Sequence, residues 1–145
     1  YLLSNEVARR LIKKKLPGRI VNISSMAAFN TTAFSAASLY SITKAGIVRL
    51  TEALATEWAR YNINVNCICP GNVWTAWLRP LAEKTAALEG MTARERFDEM
   101  VKTRNPMKRA QTPEDMGNLT AFLVSDDSCN ITGQTINIDG GGRLD

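Results

Sequence analysis

Three short apolar runs rich in β-branched residues recur along the chain and predict three strands. They cover residues 19–23, 63–68 and 134–138, and Pro70 with Gly71 closes the second run. The first of these runs, with its Ile and Val residues, is typical of a strand that leads into a buried parallel sheet.

Between these runs, apolar residues recur at three- and four-residue spacing and predict helices. One helix spans residues 3–15. A second, from about 39 to 60, has an apolar surface broader than one stripe, as expected for a helix that is buried on two sides. Thr112 as an N-cap, with Pro113 in the first turn, predicts a helix over 113–124. Residues 75–110 are mixed and helical in parts.

Helices and strands that alternate at these intervals indicate parallel crossover units, and hence an α/β fold built on a parallel sheet. We expect one domain over residues 1–145. The chain begins with YLLSNEVARR, inside the first predicted helix and without an initiator Met, so we expect further residues upstream.

The composition narrows the possible chemistry. With 45% hydrophobic and 22% charged residues, and no apolar run of the roughly 18 to 20 residues that cross a bilayer, the chain is typical of a soluble globular domain. It contains no His, which excludes Ser-His-Asp and Cys-His nucleophile systems and His-based zinc sites, and we expect no metal. Acid–base work at neutral pH therefore falls to a carboxylate, Lys or Tyr.

The three cysteines and the net charge of +4 add two weaker indications. The cysteines are few, and Cys67 and Cys69 alternate as buried strand residues do, so we expect reduced thiols in a cytoplasmic protein. The charge raises nucleic-acid binding as an alternative. Because the basic cluster of residues 9–15 lies at a helix end, where cations interact favourably with the helix dipole, we expect no nucleic-acid partner.

Tyr40 and Lys44 are the first candidate pair for proton transfer. They are four residues apart in the second predicted helix, so their side chains project from one face, one turn apart. A phenol ionises near pH 10 and transfers protons poorly at neutral pH unless a neighbouring ammonium stabilises the phenolate. Taken alone the pair is weak, since chance also produces this spacing.

Polar groups also follow two of the predicted strands. Ser24 and Ser25 follow the first strand, and the segment from Pro70 to Thr75 follows the second. Ligands of a parallel α/β sheet bind at the carboxyl ends of its strands. Since the helix that carries Tyr40 begins in the connection between these strands, we expect hydroxyl, phenol and ammonium to converge on one crevice.

Four ordered segments resemble the successive signatures of the short-chain dehydrogenase/reductase family: GRIVNISS, YSITK, VNCICPGNVWT and NITGQTINIDGG. They span nearly the whole chain and correspond to the carboxyl-terminal half of a classical member. The resemblance implies a Rossmann-like, doubly wound parallel sheet. It also implies an NAD- or NADP-dependent oxidoreductase that interconverts an alcohol and a carbonyl.

The resemblance further implies roles for individual residues. Ser25 would orient the substrate oxygen, with Ser24 a weaker candidate for that role. Tyr40 would be the general acid/base, and Lys44 would bind the nicotinamide ribose and favour the ionised phenol. The nicotinamide side of the cleft would be lined by Pro70, Gly71, Val73 and Thr75.

A substrate lid would lie around residues 75–110. Trp74, just before it, and Trp77, within it, either line the substrate pocket or are ordinary packing residues. The length of this segment favours a polyol, a diol or acetoin, or another small hydroxy substrate. The alternatives are a 3-oxoacyl reductase of the same family and a non-catalytic nucleotide-binding or scaffold relative. Family resemblance and the broad apolar surface of the second helix imply a homodimer or homotetramer.

Two features depart from the family pattern. The interval from Ser25 to Tyr40 is about two residues longer than is common, so the loop through residues 30–35 is expected to bulge. The glycine-rich phosphate loop and the residue that separates NAD from NADP belong to the family's amino-terminal half, which this sequence does not contain. The chain alone is therefore expected to be inactive.

Overall fold

The computed structural model describes residues 1–29 and 38–143. In these ranges the helices are α1 (Leu2–Lys14), α2 (Ser38–Trp58), α3 (Arg79–Glu89), α4 (Ala93–Arg104) and α5 (Pro113–Val124). The strands are β1 (Gly18–Ile23), β2 (Ile63–Pro70) and β3 (Thr135–Ile138). Short 3-10 turns follow β1, α2 and α5. The predicted bulge at residues 30–35 lies outside the described residues.

The described strands form one parallel sheet in the order β1-β2-β3. Ile23 is in register with Ile68, and Pro70 is in register with Ile138, so the carboxyl ends of all three strands lie at one edge. The predicted α/β fold with a parallel sheet is therefore confirmed.

The central strand β2 explains where the core lies. Its residues are buried from Ile63 to Cys69, and alternate residues of a strand point to the same side of the sheet. On one side, Ile63 and Val65 pack against Ala8 of α1 and against Leu54 and its neighbours in α2. Full burial of a side chain such as Leu54 contributes about 1.5–3 kcal/mol.

Asn64 and Asn66 alternate with those apolar residues along β2. Their side chains bond the segment that leads into β3. The Asn64 carboxamide donates to the carbonyls of Cys129 and Ile131, and that of Asn66 donates to Ile131, each at 2.8 Å. Because both carboxamides are buried, these bonds also satisfy donors that would otherwise be costly to remove from water. They fix β3 beside β2.

Strand β2 continues two residues beyond its predicted end at residue 68. Pro70 has no N–H, but as the last residue it can still pair, because the next amide, that of Gly71, donates to the carbonyl of Ile138 at 2.9 Å. Pairing with β3 thus extends strand β2 to Pro70. This extension depends on a distant strand, so the residues around Pro70 alone could not predict it.

The segment after β2 contains α3 and α4, which pack against each other. Helix α4 begins with a capping box, in which Thr92 and Glu95 bond each other's backbone amides. None of the helices in the described ranges is long and apolar enough to span a bilayer.

Candidate active site

The first part of the site is the turn after β1. Ser25 has an extended backbone and caps the short 3-10 turn Met26–Ala28, and its Oγ accepts a hydrogen bond of 3.2 Å from the amide of Ala27. This bond uses a lone pair of the hydroxyl and leaves its proton able to serve another acceptor. Half-buried at the open edge of the sheet, Ser25 is oriented by its own backbone turn.

The second part is the first turns of α2, where Tyr40 and Lys44 are half-buried neighbours. The Lys44 ammonium donates to the carbonyl of Ile23, the last residue of β1, at 3.3 Å. The same nitrogen lies 5.7 Å from the centroid of the Tyr40 ring. The structure therefore brings Tyr40 and Lys44 together and fixes Lys44 to the strand end that leads into Ser25.

The third part is the segment from Pro70 to Thr75, whose residues are all half-buried. The side-chain oxygen of Gln111 accepts from the amide of Asn72 at 2.8 Å, and Val73 forms an isolated bridge with Gln111. Gly71 passes so close to β3 that a Cβ on it would lie 2.7 Å from the Cα of Asp139. The path of this segment is thus set by contacts with distant parts of the chain.

The two Trp residues that follow β2 have different surroundings. Trp77 stacks on the ring of Tyr40, with the centroids 5.6 Å apart and the planes at 25°. Trp74 instead packs against Phe97 of α4 at 4.9 Å, and the guanidinium groups of Arg79 and Arg94 each lie 5.5 Å from its ring. Of these ring contacts, only that of Trp77 joins the segment after β2 to Tyr40.

Two buried thiols lie in β2 close to the turn after β1. The adjacent thiol of Cys67 lowers the pKa of Cys69 to about 7; the Ser24 hydroxyl, the Ser25 backbone and the charge of Lys44 act in the same direction, while burial opposes them. The pKa of Cys67 is raised, first by its hydrogen bond with Cys69 and then by burial. Both cysteines are free.

The sequence did not predict the part that two residues, Ser24 and Gln111, play in the site. Ser24 was considered only as a competitor of Ser25, but it is buried and its hydroxyl donates to the backbone carbonyl of Lys44 at 2.7 Å. Gln111 was not singled out, although it holds Asn72. A pair of serines at a strand end was a visible signal for the first, whereas the sequence carried no local signal for the second.

The chain is similar to known proteins along nearly its whole length. The family model described as Enoyl-(Acyl carrier protein) reductase matches residues 1–142. Oxidoreductase UcpA of Escherichia coli K12 is 41% identical over 143 residues, which are 98% of this chain and 52% of UcpA. Sorbitol-6-phosphate 2-dehydrogenase SrlD from Erwinia amylovora superposes with a TM-score of 0.87 at 31% identity, over 98% of this chain and 55% of that one. A second similar structure is 4-hydroxyisoleucine dehydrogenase complexed with NADH, at 32% identity and a TM-score of 0.80, over 97% and 53% of the two chains.

The parallel sheet and its neighbours define a Rossmann-like α/β protein. The chain belongs to the short-chain dehydrogenase/reductase family, an oxidoreductase family. It spans about half the length of the curated relatives that it matches.

Proposed function

We propose that the protein that contains this chain is an NAD- or NADP-dependent oxidoreductase that interconverts an alcohol and a carbonyl, with Tyr40 as the general acid/base. One observation carries the proposal: Lys44 is fixed to the end of β1 by its bond to Ile23 and lies 5.7 Å from the ring of Tyr40. An ammonium held beside a phenol is what proton transfer by Tyr at neutral pH requires.

The polar groups at this edge fit the nicotinamide end of a dinucleotide. Lys44 has three N–H donors, of which the bond to Ile23 uses one, so two can serve the uncharged hydroxyls of a ribose. The backbone of Pro70, Gly71 and Val73, with the half-buried Thr75, would line the nicotinamide side. The cofactor would supply or accept the hydride.

The chain's own residues would move the proton and hold the substrate oxygen. In reduction, Tyr40 gives the proton of its hydroxyl to the carbonyl oxygen, and in oxidation its phenolate takes the proton of the alcohol. Ser25, whose Oγ already accepts from Ala27, donates its hydroxyl proton to the same oxygen. Its fixed orientation favours one position of that oxygen and thereby helps to align the reacting carbon.

We place the substrate between Tyr40 and a lid formed by residues 75–110. Trp77 presents a large, two-thirds exposed aromatic surface beside the ring of Tyr40, which favours a small substrate whose carbon skeleton packs on the indole. Polyols, diols, acetoin and small hydroxy compounds meet that description. Trp74 directly precedes the lid and packs on Phe97 within it, so it would shape the wall of the substrate pocket.

The test is the substitution Tyr40→Phe in the protein as the cell makes it, assayed by nicotinamide absorbance with sugar alcohols, diols and 3-hydroxy acids. Loss of the general acid/base should lower kcat by about 10²- to 10⁴-fold, while the Kd of the cofactor changes little. Tyr61→Phe is the matched control, because Tyr61 lies after α2 and contacts Arg60. Full activity in Tyr40→Phe would reject the assignment.

The same screen separates the alternatives. Turnover of 3-oxoacyl thioesters in preference to small alcohols would identify a 3-oxoacyl reductase. Cofactor binding without turnover of any compound would indicate a nucleotide-binding relative without catalytic activity.

We further propose that the protein self-associates through α2 and resides in the cytoplasm. Leu39 and Ile42 are 73% and 67% exposed on α2, which leaves a large apolar face there. The three free cysteines suit a reducing compartment. We propose neither a nucleic-acid nor a membrane partner.

A further inference from the structure

Ser24 joins three elements of the site at one buried point. Its backbone amide donates to Ile68 of β2 at 2.8 Å, and its hydroxyl donates to the carbonyl of Lys44 in α2 at 2.7 Å. Only 3% of the residue is exposed. The end of β1, the central strand and the helix that carries the candidate catalytic pair are therefore tied together at Ser24.

The carbonyl that Ser24 engages belongs to the same residue whose ammonium bonds the end of β1. The Lys44 backbone is held by the Ser24 hydroxyl, and the Lys44 ammonium is held by the carbonyl of Ile23 at 3.3 Å. Two consecutive residues of β1 and its turn thus hold both ends of one lysine. Tyr40 lies one helical turn away, so its position follows that of this turn of α2.

The surroundings of Ser24 make its hydroxyl hard to replace. Val48, Cys67 and Cys69 form a buried cluster with Ile47 and Phe29 packed against it. The Ser24 hydroxyl is among the groups that lower the pKa of the Cys69 thiol, which places it beside this cluster. Protein interiors are densely packed, and water can enter such a place only where there is room for it. Among the described residues, no other group on the sheet side bonds the carbonyl of Lys44. Removal of the Ser24 hydroxyl should therefore let the first turns of α2 shift relative to the end of β1.

We propose that Ser24 is a positioning residue for the proton-transfer pair: its bond to the Lys44 carbonyl sets the distance and angle between α2 and the Ser25 turn. This inference rests on the proposed oxidoreductase function and assigns Ser24 a part distinct from that of Ser25. Ser25 would contact the substrate oxygen, whereas Ser24 acts only through Lys44 and Tyr40.

The experiment compares Ser24→Ala, Ser24→Thr and Ser128→Ala in the protein as the cell makes it. Ser128 is the matched control, because it is also fully buried and its hydroxyl donates to a helix carbonyl, that of Leu123 at 2.9 Å, but in α5. Ser24→Ala should lower kcat by about 10- to 100-fold, the range that small misplacements of reacting groups produce, and leave the Kd of the cofactor within about twofold. Ser24→Thr, which keeps the hydroxyl, should restore most of kcat, and Ser128→Ala should retain it.

The loss of kcat and its recovery in Ser24→Thr report the bond between Ser24 and Lys44 through catalysis. Hydrogen exchange of the amides of residues 40–48 should also accelerate in Ser24→Ala and not in Ser128→Ala. This second measurement reports the tie itself and does not depend on turnover.

Each remaining outcome counts against one proposal in particular. An active wild type with an unchanged kcat in Ser24→Ala overturns the positioning role and leaves the proposed function intact. A similar loss of kcat in Ser128→Ala, or no recovery in Ser24→Thr, overturns it as well, since the effect would then be general destabilisation. A wild type that turns over none of the compounds rejects the proposed function. The positioning role of Ser24 is then rejected too, even if hydrogen exchange shows that its bond to Lys44 holds α2 in place.

Discussion

The indole of Trp77 stacks on the phenol ring of Tyr40, with ring centroids 5.6 Å apart. The two residues belong to different elements, since Tyr40 lies in the first turn of α2 and Trp77 follows β2. The contact therefore connects the segment of the proposed lid to the proposed acid/base. It also places a large, mostly exposed aromatic surface beside the proposed acid/base.

The substitution Trp77→Ala should weaken substrate binding more than cofactor binding. Burial of a CH2 group contributes about 0.8 kcal/mol, so loss of the indole should raise the KM of the substrate by about fourfold for each carbon that packs on it. Steady-state kinetics with each ligand varied in turn would measure this, and Trp77→Phe, which keeps an aromatic ring, should recover most of the loss. Unchanged substrate kinetics in Trp77→Ala would mean that the indole does not line the pocket.

The close passage of Gly71 past β3 leads to a second prediction. In Gly71→Ala, the new methyl group would lie 2.7 Å from the Cα of Asp139 and from Oε1 of Gln111, and a backbone atom cannot give way as a flexible side chain can. Overpacking of this kind typically costs about 1–3 kcal/mol. Urea denaturation should show that loss, together with a weaker affinity for the nicotinamide cofactor, because the shifted segment is the one proposed to line its site.

Gly117→Ala provides the control for Gly71→Ala. Gly117 lies within α5, and a Cβ there meets nothing within 4 Å. Since Ala is a better helix former than Gly, this variant should be more stable by about 0.5–1 kcal/mol and bind the cofactor normally. A Gly71→Ala protein as stable as the wild type would show that the contact with Asp139 relaxes freely.

The elements that could be predicted from sequence are those that local patterns determine. Helix α5 was predicted over 113–124 and spans Pro113–Val124, because Thr112 and Asp115 form a capping box and Pro113 occupies the first turn. The three strands were located for a similar reason, since each is a short segment rich in β-branched residues. Pairing of Tyr40 with Lys44 also followed from their spacing alone.

The parts that could not be predicted depend on contacts between distant residues. Trp74 and Trp77 are three residues apart and chemically identical, yet one packs on Phe97 and the other on Tyr40, a difference that only the path of the chain decides. The bond of Gln111 to Asn72 crosses 39 residues. Ser24 was a visible candidate, but its bond to the carbonyl of Lys44 joins residues 20 positions apart and depends on how α2 packs against the end of β1.

The exposed apolar face of α2 leads to the last prediction, on assembly. Leu39 and Ile42 are largely exposed there, and Gly46, one turn further, leaves open space where a Cβ would be, so a second helix could approach closely. If copies associate through this face, Ile42→Arg should bury an unpaired charge and shift the protein toward monomers, measured as molar mass by light scattering at micromolar concentration. Leu88→Arg is the matched control, since Leu88 is 86% exposed on α3 and its replacement should leave the molar mass unchanged. A monomeric wild type, or an equal effect of both substitutions, would show that α2 is not the contact.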